Sequence, residues 1–230
     1  MAMDITLNAT TFVYSQIRRN SYFESILISC VDAYNDIVGS PNKLENNENK
    51  IRDRFLKLLQ DLNFKQSHKL KNLKFDKETS ENKGRADIRV LPTKDEYIND
   101  EEYYIIECKR LDSKNLNGIY GLNAEYIKNG ICRFVSGYYS TYYGCNAMFG
   151  FVVESVDNID NELVGGINSL LNTTMTNDHG IDVNAQAKDP LQYTDFANGY
   201  PYSYISTHTH ISGKELVLYH LMFDFSNNII

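Results

Sequence analysis

The sequence predicts a mixed α/β fold: one domain over residues 1–230, with helices flanking a mixed α+β sheet. Two observations carry this. Runs of strand periodicity alternate with runs of helical periodicity through the middle of the chain. No stretch reads as a linker or an internal repeat, and 230 residues suit a single domain with a sizeable core.

Residues 1–20 read as irregular apart from a short helix over 13–19. Over 21–38, apolar residues at 23, 26, 27, 30, 34, 37 and 38 have helical spacing, and Gly39-Ser40-Pro41-Asn42 ends the helix. Asn46 or Asn47 caps a second helix over 48–62. Its apolar face is Ile51, Phe55, Leu58, Leu59 and Leu62, and its other face is basic, with Lys50, Arg54 and Lys57. Residues 64–75 are expected as a polar edge strand and 77–83 as a loop. Residues 86–91 alternate, with Asp87 and Arg89 on one face and Ile88 and Val90 on the other. Residues 103–109 are rich in β-branched and aromatic side chains, and Pro92, Asp95, Asn99 and Asp100 supply turn chemistry between the two runs.

After a turn at 115–118, residues 120–139 read as a helix with Leu122, Tyr126, Ile127, Ile131, Phe134, Val135 and Tyr138 apolar. Gly130 and Gly137 would permit close packing. Residues 147–154 are a short apolar run, expected as a buried strand parallel to 103–109 with a right-handed crossover. A helix over 158–171 capped by Asp157, a loop over 172–198 and a closing hairpin of 200–211 with 215–225 complete the expected order.

The hairpin at 84–112 carries the chemistry. Period 2 puts Glu107 and Lys109 on one face, at the end of an apolar run. A charge at the edge of a core is expensive unless it is paired or binds a metal. Asp87 and Glu107 side by side are hard ligands for Mg²⁺ or Mn²⁺, and the Cys108 carbonyl is a further one. Such an ion activates water and neutralises charge on a phosphoryl group, while Lys109 orients the water. Any one of these residues taken singly reads better as part of an ion-paired hairpin at a sheet edge; the set of Asp, then Glu-x-Lys, on two strands favours catalysis.

Asp87 on one strand followed by Glu107-Cys108-Lys109 on the next resembles the PD-(D/E)xK nuclease superfamily, of restriction-endonuclease-like fold. Ala86 stands where that motif has proline. The resemblance covers about residues 46–154. It implies an αβββαβ core, to which this chain adds flanking helices and a C-terminal hairpin. It implies a Mg²⁺-dependent (or Mn²⁺-dependent) nuclease acting on nucleic acid, DNA first. Glu48 would support the metal site from its helix, with Glu45 as fallback. The helix after the lysine strand would line the cleft, where Arg133, Lys128 or Tyr126 would touch a phosphate. Cutting both strands would suit a homodimer, and target choice a separate targeting subunit. The alternatives are a catalytically silent nucleic-acid-binding or scaffolding subunit on the same fold, and a hydrolase of small phosphoesters.

The net charge of −7 argues against a simple DNA-coating protein. Its distribution is uneven: residues 41–90 hold 13 Lys+Arg against 8 Asp+Glu, and 141–230 hold 2 against 10. The basic half could follow a phosphate backbone, or its Lys69, Lys71, Lys74, Lys77 and Lys83 could simply lie on a solvated loop. Cys30, Cys108, Cys132 and Cys145 lack paired spacing and read as reduced thiols of a cytoplasmic protein. No signal peptide and no membrane span are expected. His208 and His210 share a strand face, but no Cys or carboxylate completes a zinc set. The tyrosines at 138, 139, 142, 143, 200, 202 and 204 suit base stacking, or packing of a sheet edge or oligomer interface.

Overall fold

Helical spacing builds one outer layer. The helices α1 (Ala9–Val38) and α2 (Glu48–Gln60) bury Phe23, Ile26, Leu27, Ile51, Phe55 and Leu59 against one face of a sheet. A computed structural model describes residues 9–80, 83–93 and 103–230. Where only a short helix over 13–19 was expected ahead of the helix over 21–38, α1 runs unbroken from Ala9. The side chain of Asn47 caps α2, accepting from Lys50 N, and the helix stops at Gln60. Leu62, expected on its apolar face, is 79% exposed. The reason is Asp61, whose carboxylate accepts from Asn63 N and Phe64 N and so starts a separate short helix, α3 (Leu62–Ser67).

The expected edge strand therefore begins later, as β1 (Leu73–Ser80), and takes in half of the expected loop. It pairs antiparallel with β2 (Arg85–Pro92), which pairs antiparallel with β3 (Tyr104–Leu111). Asp95, Asn99 and Asp100 lie outside the described residues. On β3, Tyr104, Ile106 and Cys108 enter the core under α1 and α2, while Ile105 and Leu111 enter the core on the other face. All eight residues of β4 (Cys145–Val152) are buried, and β4 lies parallel to β3.

Between them the expected single helix is interrupted. It runs as α4 (Leu122–Tyr126), a π-helical turn (Ile127–Ile131) and α5 (Cys132–Val135), and ends where Gly137 takes φ +67°. A Cβ on Gly130 would lie 2.5 Å from Met148 Cε, so this glycine lets the π turn press onto β4. The next helix is likewise π-helical at first (Ile159–Val164) and then α6 (Gly165–Leu170); its cap is Asn158, not Asp157.

Residues 172–198 are not a plain loop. They hold a two-stranded hairpin, β5 (Met175–Thr176) with β6 (Asp182–Val183), and then β7 (Ala187–Tyr193), an edge strand of the main sheet. The closing strands β8 (Ser203–Thr209) and β9 (Glu215–Asp224) pair antiparallel, and β9 also lies parallel to β4. The sheet thus has seven strands in the order β1-β2-β3-β4-β9-β8-β7. No helix among the described residues is long and apolar enough to cross a membrane. The four cysteines are free and buried.

Candidate active site

The ladder between β2 and β3 stops at Ile88 opposite Ile106. One step further, the carboxylate of Asp87 replaces the backbone partner: its Oδ2 accepts from Cys108 N at 2.9 Å. The strands therefore part beside Asp87 and Glu107. These two and Lys109, joined by Glu48 from the first turn of α2, line a cleft of about 680 Å³.

Lys109 sits at the crossing point. Its Nζ donates to Glu107 Oε1 at 2.9 Å, Glu48 Oε1 at 3.2 Å and the Cys108 carbonyl at 2.9 Å. Burial alone would disfavour its ammonium, but Glu107, Glu48 and Asp87 together outweigh that and hold it charged. Glu107 is 1% exposed. Burial and then the neighbouring Asp87 push its carboxyl up to about 7, against the pull of Lys109 and Arg133. Glu107 Oε1 also takes Arg133 Nη1 at 2.9 Å, and Oε2 takes the Tyr139 hydroxyl at 2.9 Å. Glu48 Oε2 accepts from Arg110 N at 3.0 Å.

Asp87 rests on Arg52, a guanidinium 1% exposed that reaches Asp87 Oδ1 at 2.8 Å, Glu78 Oε1 at 3.0 Å and Asp53 Oδ1 at 3.0 Å. Glu78 takes φ 49° here, opposite the break in the ladder.

Of the three residues expected to touch phosphate, Arg133 lines the cleft. Lys128 is held by Glu125 at 2.8 Å. Tyr126 does not face the cleft: it is fully buried and its hydroxyl bonds His220 Nδ1 at 2.7 Å. The π turn after Tyr126 changes the angular step of the helix, which separates it from Arg133. Glu45 pairs with Lys50 at the surface. Lys74 and Lys77 are on β1 rather than in a loop, paired with Asp76 and Asp53. His208 is buried in contacts with Ser206 and the Ala185 carbonyl, whereas His210 bonds Ser212 near the surface. Tyr139 and Tyr143 are buried, and Tyr142 is exposed.

Arg52 was not singled out by the sequence, and Tyr139 was named only within the tyrosine cluster, not as a partner of Glu107. Arg52 follows Glu48 by one helical turn and precedes Leu56 and Leu59 on the same stripe, a spacing that places it inward. Nothing in the pattern of the tyrosine cluster marks Tyr139.

The donor set is chemically that of a hard divalent cation: Glu48, Asp87 and Glu107 carboxylates and the Cys108 carbonyl. The donors therefore fit such an ion in kind. Among the described residues, no group of three or more His, Cys, Asp or Glu side chains is arranged as a metal cluster. Lys109 stands where three of these oxygens meet. Comparison with family models, with curated proteins and with solved structures finds no match to this chain.

Proposed function

We propose that this protein is a Mg²⁺-dependent (or Mn²⁺-dependent) nuclease of the restriction-endonuclease-like kind, hydrolysing phosphodiester bonds of nucleic acid, DNA first. One observation carries the reading: Glu48, Asp87, Glu107 and Lys109, from three separate elements, open on one cleft. Apart from the short α3 between α2 and β1, the order α2-β1-β2-β3-helix-β4, with β4 parallel to β3, is the order the resemblance implies, and it supports the same reading.

Glu48, Asp87, Glu107 and the Cys108 carbonyl would hold the ion. When bound, it would supply an activated water and neutralise charge building on the phosphate. Lys109 would donate toward the attacking water or a phosphate oxygen. Arg133 favours the ionised form of Glu107 and orients it from the cleft wall. A second copy of the chain would complete a double-strand cut, and a targeting subunit would choose the sequence.

The test is cleavage of supercoiled plasmid and of single-stranded DNA with Mg²⁺ or Mn²⁺ against EDTA, wild type beside Lys109→Ala. Metal-dependent cutting that the variant loses supports the nuclease. Cutting that survives in Lys109→Ala overturns it.

One observation favours a second reading, a nucleic-acid-binding or scaffolding subunit without catalysis. Both carboxylate oxygens of Glu48, Asp87 and Glu107 already have protein donors. Binding of DNA by well-folded protein with no metal-dependent turnover would select it.

A further inference from the structure

Part of the cleft wall comes from outside the core of helix, three strands, helix and strand. It is the tip of the β5–β6 hairpin, with Asp178 and His179, together with Tyr138 beyond α5. The tip is built rather than loose. Asn177 Oδ1 accepts from His179 N at 2.9 Å and from Ile181 N at 3.0 Å, and Gly180 takes φ +72°. Asn129, on the π turn, accepts from Asp178 N at 3.4 Å and so ties the tip to the helix that carries Arg133.

Tyr138 is held flat. A Cβ on Gly84 would lie 2.0 Å from its Cε1, so the ring occupies the space that a side chain at 84 would fill. The Arg133 guanidinium lies 5.4 Å from its centroid. The His179 ring faces it at 6.0 Å between centroids and 25° between planes. The Tyr138 hydroxyl and the His179 ring nitrogens make no hydrogen bond within the described residues. A nucleobase held between two near-parallel rings needs ~7 Å between their planes, twice the ~3.4 Å stacking repeat of nucleic acid, so the hairpin tip must move outward to admit one.

Arg85, Lys109, Arg110 and Arg133 line the cleft together with Glu48, Asp87 and Glu107, and Asp178 and Glu125 add two further carboxylates beside the hairpin tip. A base edge with amino donors suits an acidic wall.

We propose that Tyr138 and His179 clamp an unpaired base next to the phosphate being cut, so that the substrate is single-stranded or locally opened nucleic acid. The clamp rests on the nucleic-acid reading above and adds the substrate class to it. A base inside an intact duplex is stacked on its neighbours and unreachable without extrusion.

The experiment uses the full chain in EDTA, and again with Ca²⁺, and a short single-stranded oligonucleotide carrying one 2-aminopurine, with its duplex as comparison. Wild type is expected to bind the single strand in preference and to quench the 2-aminopurine on stacking. His179→Ala, on an exposed tip, is expected to weaken binding about tenfold and remove the quenching. His179→Phe, which keeps a ring, should restore both, and Gly84→Ala, which displaces Tyr138, should mimic the loss. Binding without quenching, or quenching unchanged in His179→Ala, overturns the clamp and leaves the nuclease reading standing. No binding of either oligonucleotide overturns both.

Discussion

Arg52 lies one helical turn after Glu48 and bonds Asp87 through Nη1 at 2.8 Å. One helix thus supplies an acid to Lys109 and a cation to Asp87, which fixes α2 against both strands of the site. Its guanidinium also serves Glu78 and Asp53, and a planar fork with several donors does this better than an ammonium. Arg52→Ala leaves these carboxylates without their buried counter-charge and should cost about 3 kcal/mol, the lower end for a broken buried pair because the partners are partly solvated. Arg52→Lys should recover less than half of that. Urea unfolding at neutral pH measures both; a loss under about 1 kcal/mol for Arg52→Ala would mean that the cluster does not position the helix.

Asp87→Asn separates charge from shape. The amide oxygen can still accept from Cys108 N, but the amide nitrogen then faces Arg52 Nη1, donor against donor, so Asp87→Asn should lose some stability along with the negative charge proposed to hold the ion. Lys109→Met removes the ammonium that Glu48 and Glu107 share. Each variant should lower single-turnover cleavage by about 10²-fold or more with an unchanged circular dichroism spectrum. Near-wild-type cleavage by Asp87→Asn would remove Asp87 from the site.

The parts of this site that were legible in the sequence are those written in period 2. Asp87, Glu107 and Lys109 stand on strands whose alternation and β-branched content announce them, and Glu48 follows a capping asparagine. What was not legible depends on partners distant in sequence. Arg52 sits among Lys50, Arg54 and Lys57, and only the stripe it shares with Leu56 and Leu59 turns it inward. β7 reads as loop because Lys188, Asp189 and Pro190 interrupt any apolar pattern; an edge strand tolerates them because one side needs no ladder. The separation of Tyr126 from Arg133 follows from a π turn that no residue pattern in 120–139 signals.

Gly130 lets the helix over Lys109 come close. A Cβ there would meet Met148 Cε at 2.5 Å and Lys109 Cγ at 3.5 Å. The methionine terminus can swing aside for a single methyl, so Gly130→Ala should be mild. Gly130→Val adds branches where the lysine stem runs and should cost about 1–3 kcal/mol by overpacking. If cleavage falls further in Gly130→Val than in a variant of equal stability elsewhere in the core, the displacement of Lys109 is the cause. Equal losses would make the effect one of stability alone.

The buried chain Tyr126–His220–Ser206–His208 admits one arrangement of its protons. The Ala185 carbonyl can only accept, so His208 Nδ1 donates to it, and neutral His208 then accepts at Nε2 from the Ser206 hydroxyl. Ser206 must accept from His220 Nε2, which leaves His220 Nδ1 to accept from the Tyr126 hydroxyl. A proton on either ring turns its accepting nitrogen into a donor, so the hydroxyl facing it must turn its own proton away and loses the bond it donates. Burial lowers the pKa of His208 to about 4, and burial and then His208 lower that of His220 as well. Since the folded value lies below the unfolded one of about 6.5, His208 contributes nothing to the slope above pH 6.5. Stability then falls as the pH drops from about 6.5 to about 4, by about 3 kcal/mol from His208 alone. The unfolding midpoint in urea should therefore decrease between pH 7 and pH 5. The decrease should be shallower in His208→Gln, which cannot take up the proton; an identical slope in wild type and variant would show that His208 is not the group being titrated.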